Sequence, residues 1–159
     1  MGRARASIEL PAQVSTAEAL WYDVERWPTF VDGFGHVAKL EGDWPRAGAR
    51  LVWDSVPAGR GRVAETVTSY EVRAGQTVGV EDERITGTQT VTFTPKPEGA
   101  CEVTLELRYS LKQGGPLSPV VDALFIRRAF SDALRRTLAR FRRELRADAE
   151  LAEVARPPR

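Results

Sequence analysis

No proline or glycine interrupts the chain between Val120 and Arg156. Across that run and just before it, Leu117, Val121, Leu124, Leu134, Leu138, Phe141 and Leu145 form an apolar stripe of helical period. A helix of about 30 residues is ~45 Å long. Such an element is too long to be one member of a small bundle, but it can cross a whole sheet. The remainder of the chain must therefore supply the sheet that it crosses.

The remainder has strand character. Residues 4–10 alternate around Ile8 and Leu10, and further strands are predicted over residues 37–41, 49–56, 62–72, 77–84, 87–94 and 101–112. Turns rich in Gly and Pro separate them, at 43–48, 57–61, 74–75, 86–87 and 95–99. In the last strand Val103, Leu105, Leu107, Tyr109 and Leu111 alternate with Glu102, Thr104, Glu106, Arg108 and Ser110, which predicts one buried and one wet face. Between the first two strands, Ser15 and Glu18 have the spacing of a capping box and predict a short helix over 16–25. Pro28 then starts a second short helical turn that carries Phe30 and Val31.

Loops of hairpin length make the strands antiparallel. The predicted fold is α+β, a seven-stranded curved antiparallel sheet with two short helices and a long C-terminal helix that encloses a cavity against it. One helix cannot fill a curved sheet, and the space left between the two suits a small molecule. Residues 1–150 are expected to form a single domain, with 151–159 as a flexible tail.

Three local patterns resemble the START-like (SRPBCC) superfamily, and within it the polyketide cyclase/dehydrase-like family. The first is Asp23-Val24-Glu25-Arg26-Trp27-Pro28 after the first helix. The second is residues 40–50, Leu-Glu-Gly-Asp-Trp-Pro-Arg-Ala-Gly-Ala-Arg. The third is Thr90-Val91-Thr92-Phe93-Thr94-Pro95 followed by residues 103–109. The resemblance covers residues 6–147. It implies the helix-grip (START/Bet v 1-like) fold and, for function, a choice among polyketide aromatase/cyclases, carriers of lipids or hormones, quinone-binding proteins and chaperone activators. Fold alone does not choose among them.

Composition narrows the classes. The chain has 159 residues with 23 basic and 22 acidic side chains, a net charge of +1. That balance argues against a general nucleic-acid binder. No apolar run reaches the ~18–20 residues of a spanning helix, and the N-terminal residues show no secretory signal, so a cytoplasmic protein is expected. One cysteine, Cys101, and one histidine, His36, supply neither a disulfide nor a metal site, and no metal or cofactor is expected. The charges are unevenly spread. Residues 127–146 carry eight Arg against Asp132 and Glu144, while residues 65–106 carry eight acids against Arg73, Arg84 and Lys96. A solvated helix face explains the arginines more simply than a membrane surface or acidic partner does, because the apolar stripe of that helix is committed to the sheet.

The expected ligand-binding residues are the inward positions of the strands, Trp53, Val67, Val80, Gln89, Val91, Phe93, Leu105, Leu107 and Tyr109. Trp27 and Phe30 are expected at the mouth and Leu124 on the helix. Gln89 and Tyr109 carry the most information, since a polar group among apolar neighbours needs a partner. The catalytic residues of an enzyme reading stay open among Tyr70, Tyr109, Arg62, Asp82 and Arg84; Asp82 and Arg84 share the face of Val78 and Val80 and could pair at the cavity end, but an exposed pair near a hairpin is the simpler expectation. Residues 32–36 and 55–61 are expected as two rims of the pocket, and His36 and Cys101 as structural. The expected function is binding of a small hydrophobic or aromatic ligand, lipid-, polyketide- or quinone-like. The alternatives are a polyketide aromatase/cyclase or dehydrase, and a protein-interaction module that uses the charged faces. Homodimerisation through a sheet edge stays open.

Overall fold

The structure is a computed structural model that describes residues 1–112, 120 and 122–159. Its elements in chain order are β1 (Gly2–Leu10), α1 (Val14–Trp21), a 3-10 turn (Val24–Arg26), α2 (Trp27–Phe30), β2 (Phe34–Glu41), β3 (Arg50–Ser55), β4 (Arg62–Glu71), β5 (Gly75–Glu81), β6 (Ile85–Lys96) and β7 (Ala100–Leu111). A π turn (Asp122–Ile126) then leads into the long helix α3 (Arg127–Val154). The strands form one seven-stranded antiparallel sheet in the order β1-β7-β6-β5-β4-β3-β2. Five of the six pairings join strands adjacent in sequence, and β1 closes the other edge on β7.

Register follows from alternation. Val91 lies opposite Leu105 and Phe93 opposite Val103, so their buried faces coincide. On β1 the first three residues of the same face are small: Gly2 lies opposite Tyr109, Ala4 opposite Leu107 and Ala6 opposite Leu105. Helix α3 packs along this edge. A Cβ at Gly2 would sit 2.2 Å from the Tyr109 ring, and one at Gly87, opposite Tyr109 on the other side, 2.0 Å from the Arg108 carbonyl oxygen. Gly2 thus clears the space in which the Tyr109 ring lies, and Gly87 permits the close approach of the β7 backbone.

Helix α3 buries Leu134, Leu138, Phe141 and Leu145, one side chain per turn. Phe141 is fully buried, 5.1 Å from Phe30 and 5.4 Å from Trp21 between ring centroids. Burying each such side chain contributes roughly 1.5–3 kcal/mol. Ion pairs flank this aromatic joint. Arg26 binds Glu144 at 2.9 Å and Asp148 at 3.0 Å, and Asp32 binds Arg136 at 3.0 Å and Arg140 at 3.1 Å. The arginine-rich face is thus partly used to tie α3 to the segment around α2.

Several expectations are corrected. The first helix starts at Val14 and stops at Trp21, with no side-chain cap at Gln13. Glu18 does not turn back to the helix start, because its Oε2 accepts the Arg73 backbone N–H at 2.7 Å. Asp23 ends the helical run by capping the 3-10 turn, its Oδ1 accepting from the Glu25 N–H at 3.2 Å. Leu124 is 61% exposed. At about 100° per residue it stands ~80° off the stripe that begins at Leu134, and the π turn over 122–126 displaces it further. Leu117 and Val121 lie outside the described residues. The expected tail begins as helix, since α3 runs to Val154, and residues 151–159 are all exposed.

Candidate functional site

Between the concave face of the sheet and α3 lies a cavity of about 60 Å³. Strands supply its floor through Trp53, Glu65, Gln89, Leu105 and Leu107. The short helices supply Trp21 and Trp27, the segment after them Val31 and Asp32, and the β3–β4 turn Arg60. Helix α3 closes the roof with Phe130, Ala133, Leu134 and Thr137. Asp32 is anchored at this end because its backbone N–H donates to Thr137 Oγ1 at 2.9 Å. A second, smaller void of about 10 Å³ lies beside it, lined by Glu65, Gln76, Val78, Gln89 and Val91 with Trp21 and Trp27.

Glu65 is the unexpected residue. It is 4% exposed and shares the inward parity of Val63 and Val67 on β4. It lies opposite Val80 on β5 and Leu51 on β3. Its Oε1 accepts the Trp53 Nε1–H at 3.1 Å. Burial pushes its carboxyl above the ordinary range, against smaller downward pulls from the Trp53 hydrogen bond and the positive charge of Arg60. Glu65 therefore favours its neutral, proton-donating form more than an exposed carboxyl does.

Arg60 faces the same space. Its Nε donates to Asp82 Oδ2 at 2.7 Å. Asp82 is buried, and its Oδ1 accepts the backbone N–H groups of Arg84 at 2.8 Å and Ile85 at 2.9 Å. The guanidinium carbon lies 6.0 Å from the Trp53 ring centroid and 5.6 Å from that of Phe130, within cation–π range. Its Nη2 is buried with no hydrogen-bond partner among the described residues.

Of the expected site residues, Trp27, Trp53, Gln89, Leu105 and Leu107 meet at the cavity. Phe30, Val80, Phe93 and Tyr109 are buried but do not line it, and Val91 lines only the smaller void. Val67 is corrected: with Ala49 and Val78 it fills a separate cluster beneath Trp44. Leu124 is corrected as above. Asp82 points inward but pairs with Arg60, whereas Arg84 is exposed. Tyr70 packs edge-on against Tyr22 at 5.4 Å. Arg62 is an exposed partner of Asp54, as is His36. Cys101 is buried, and burial pushes its thiol up. Glu65 could have been found from its parity between Val63 and Val67. Arg60 carries no such signal, because turn residues have no fixed face.

Among the described residues no group of three or more His, Cys, Asp or Glu is placed to hold a metal. No helix among them is long and apolar enough to cross a membrane. What the arrangement offers is a donor-rich wall, Arg60 and Glu65, among aromatic rings.

A family model for polyketide cyclase / dehydrase and lipid transport matches residues 1–146. By sequence, no curated protein matches the chain. Solved structures agree in fold. A START superfamily protein from Mycobacterium smegmatis is 12% identical with a TM-score of 0.72, over 92% of this chain and 99% of that one. A protein from Thermus thermophilus is 19% identical with a TM-score of 0.71, over 92% and 98%. A norcoclaurine synthase point mutant from Thalictrum flavum, in complex with a transition-state analogue, is 14% identical with a TM-score of 0.69, over 92% and 95%.

Proposed function

We propose that this chain, which belongs to the polyketide cyclase / dehydrase and lipid transport family, binds a small hydrophobic or aromatic ligand between the concave face of its sheet and α3. Its helix-grip fold is that of the START-like superfamily. One observation carries the reading: a buried carboxyl and a buried guanidinium edge, Glu65 and Arg60, line a cavity whose other walls are mainly apolar and aromatic, with Asp32, Gln89 and Thr137 among them. A core built only for stability gains nothing from two such groups, since burying polar groups with incomplete hydrogen bonding is costly.

The cavity volume of about 60 Å³ holds a few waters, against ~300–1,000 Å³ for pockets that take drug-sized ligands. Binding therefore requires the roof to give way. Phe130 is the residue to move, because it is only half-buried while Leu134, Leu138 and Phe141 are held in the core. On this reading the protein acts in the cytoplasm, with one buried thiol, Cys101, and no disulfide.

A second reading is favoured by Glu65 in particular. A carboxyl that keeps its proton more tightly than usual, beside an apolar ligand, is suited to general acid–base work such as enolisation and loss of water. An aromatase/cyclase or dehydrase would use it so. The two readings separate on Glu65→Gln, which keeps binding in both and abolishes conversion only in the second.

The test of the first reading is native mass spectrometry of the protein purified from its own host. The expected result is a small-molecule adduct that organic solvent releases. Bare protein mass in every preparation would count against it.

A further inference from the structure

We propose that Nη2 of Arg60 is the recognition point of the cavity, and that it takes the carbonyl oxygen of a planar, conjugated ligand. The proposal rests on the ligand-binding reading above and names the chemistry that the site selects.

The first ground is the unmet donor. Nη2 is buried and finds no acceptor among the described residues. Leaving a charged donor unpaired costs more than the ordinary buried hydrogen bond contributes, so Nη2 needs an acceptor, a water in the empty cavity or an oxygen of the bound ligand. The second ground is rigidity. Asp82 grips Nε at 2.7 Å, and two backbone N–H groups at 2.8 and 2.9 Å grip Asp82 in turn. The ring of Trp53, buried on β3, lies 6.0 Å from the guanidinium carbon. The fork is therefore held in one orientation before any ligand arrives, as a recognition group should be.

Charge selects the kind of oxygen. Asp82 already balances Arg60, and Glu65 faces the same space. A carboxylate would bring an extra negative charge into a mostly buried cavity whose guanidinium Asp82 already neutralises. A carbonyl oxygen accepts from Nη2 without that cost. The walls select the rest of the ligand. Trp21, Trp27, Trp53 and Phe130 line the same cavity, and aromatic rings pack best against flat π systems.

The experiment compares two probes of the same shape, acetophenone and α-methylstyrene, which differ by a carbonyl oxygen in place of a methylene. Binding is followed through the indole N–H signals of the tryptophans in NMR titrations, with wild type and Arg60→Met, whose side chain fills similar space without a donor. The expected result is about a tenfold weakening of acetophenone in Arg60→Met, with α-methylstyrene changed less than about twofold. Equal weakening of both probes, or of neither, overturns the carbonyl assignment and leaves the ligand-binding reading standing. Failure of wild type to bind either probe overturns both. Should Arg60→Met not fold, Arg60→Lys serves. It keeps the charge but lacks the fork, and retention of the full acetophenone affinity there would also overturn the proposal.

Discussion

Trp53 donates its indole N–H to Glu65 Oε1 at 3.1 Å, diagonally across β3 and β4, inside the sheet's concave face. The pair joins the largest aromatic surface of the cavity floor to its one inward-facing strand carboxyl. That single hydrogen bond does not offset the burial of the carboxyl, and the energetic consequence appears in how stability depends on pH.

Glu65 should be visible in that dependence. Its carboxyl holds a proton more tightly in the folded than in the unfolded chain, for which 4.5 is the ordinary value. Above that value the folded state binds the extra proton. The contribution to stability is thus complete below about 4.5 and declines as pH rises, until the folded carboxyl also ionises. The slope is at most about 1.4 kcal/mol per pH unit. Glu65→Gln removes the decline, so its stability relative to wild type should grow from pH 4.5 upward and then level off. Chemical denaturation of both proteins from pH 4 to 8 checks this, and a constant difference across the range contradicts it.

Asp32 should show the opposite sign. Arg136 and then Arg140 hold its carboxyl below the ordinary value of 3.8. Its contribution is present above that value and disappears as pH falls through the depressed one. The arginines are half-exposed, so the pairs are partly screened. Asp32→Asn should cost about 0.5–1 kcal/mol at pH 7. That loss should shrink toward zero in acid, as measured by thermal or urea unfolding.

The register of α3 is checked by a contrast of two positions. Phe141→Ala empties the contact with Trp21 and Phe30 and should cost ~3–5 kcal/mol. Leu124→Ala removes a side chain that is 61% exposed and should change stability by less than about 0.5 kcal/mol. Comparable losses at both sites in denaturant melts would mean that the helix buries a different stripe.

Glycines offer a similar contrast on the sheet. A Cβ at Gly87 meets the Arg108 carbonyl oxygen at 2.0 Å and the Tyr109 Cα at 2.8 Å, both backbone, whereas at Gly79 the nearest atom is 3.9 Å away. Gly87→Ala should destabilise by ~1–3 kcal/mol through forced backbone shifts. Gly79→Ala should be neutral or mildly stabilising, since it lowers the freedom of the unfolded chain. Unfolding midpoints of the two variants decide the matter.

These sites also mark what was legible in the sequence. Alternation from Val103 to Leu111 and the period of Leu134, Leu138, Phe141 and Leu145 state their own faces, because burial on one side leaves a periodic trace. The seven strands and the long helix follow from it. Leu124 misleads, since periodicity assumes an unbroken α-helix and a π turn intervenes. Glu65 was hidden by its chemistry: an acid in a strand is ordinarily turned to water, and only its place between Val63 and Val67 argues otherwise. Asp82 shares the parity of Val78 and Val80, but beside Arg84 at a hairpin it reads more simply as one of an exposed pair, and neither its burial nor its partner was legible. Arg60 lies in a turn some twenty residues away along the chain, and no local pattern pairs the two. The cavity itself depends on how far Phe130 and Trp53 approach, which is a matter of packing and not of pattern.

The central claim, that a ligand enters between sheet and α3, is tested most directly by nuclear Overhauser contacts from the protons of acetophenone at saturating concentration. The account predicts contacts to Trp53, Leu107 and Phe130, which line the cavity from three different elements. Contacts only to exposed side chains such as Val120 and Leu151, or none at all, would contradict it.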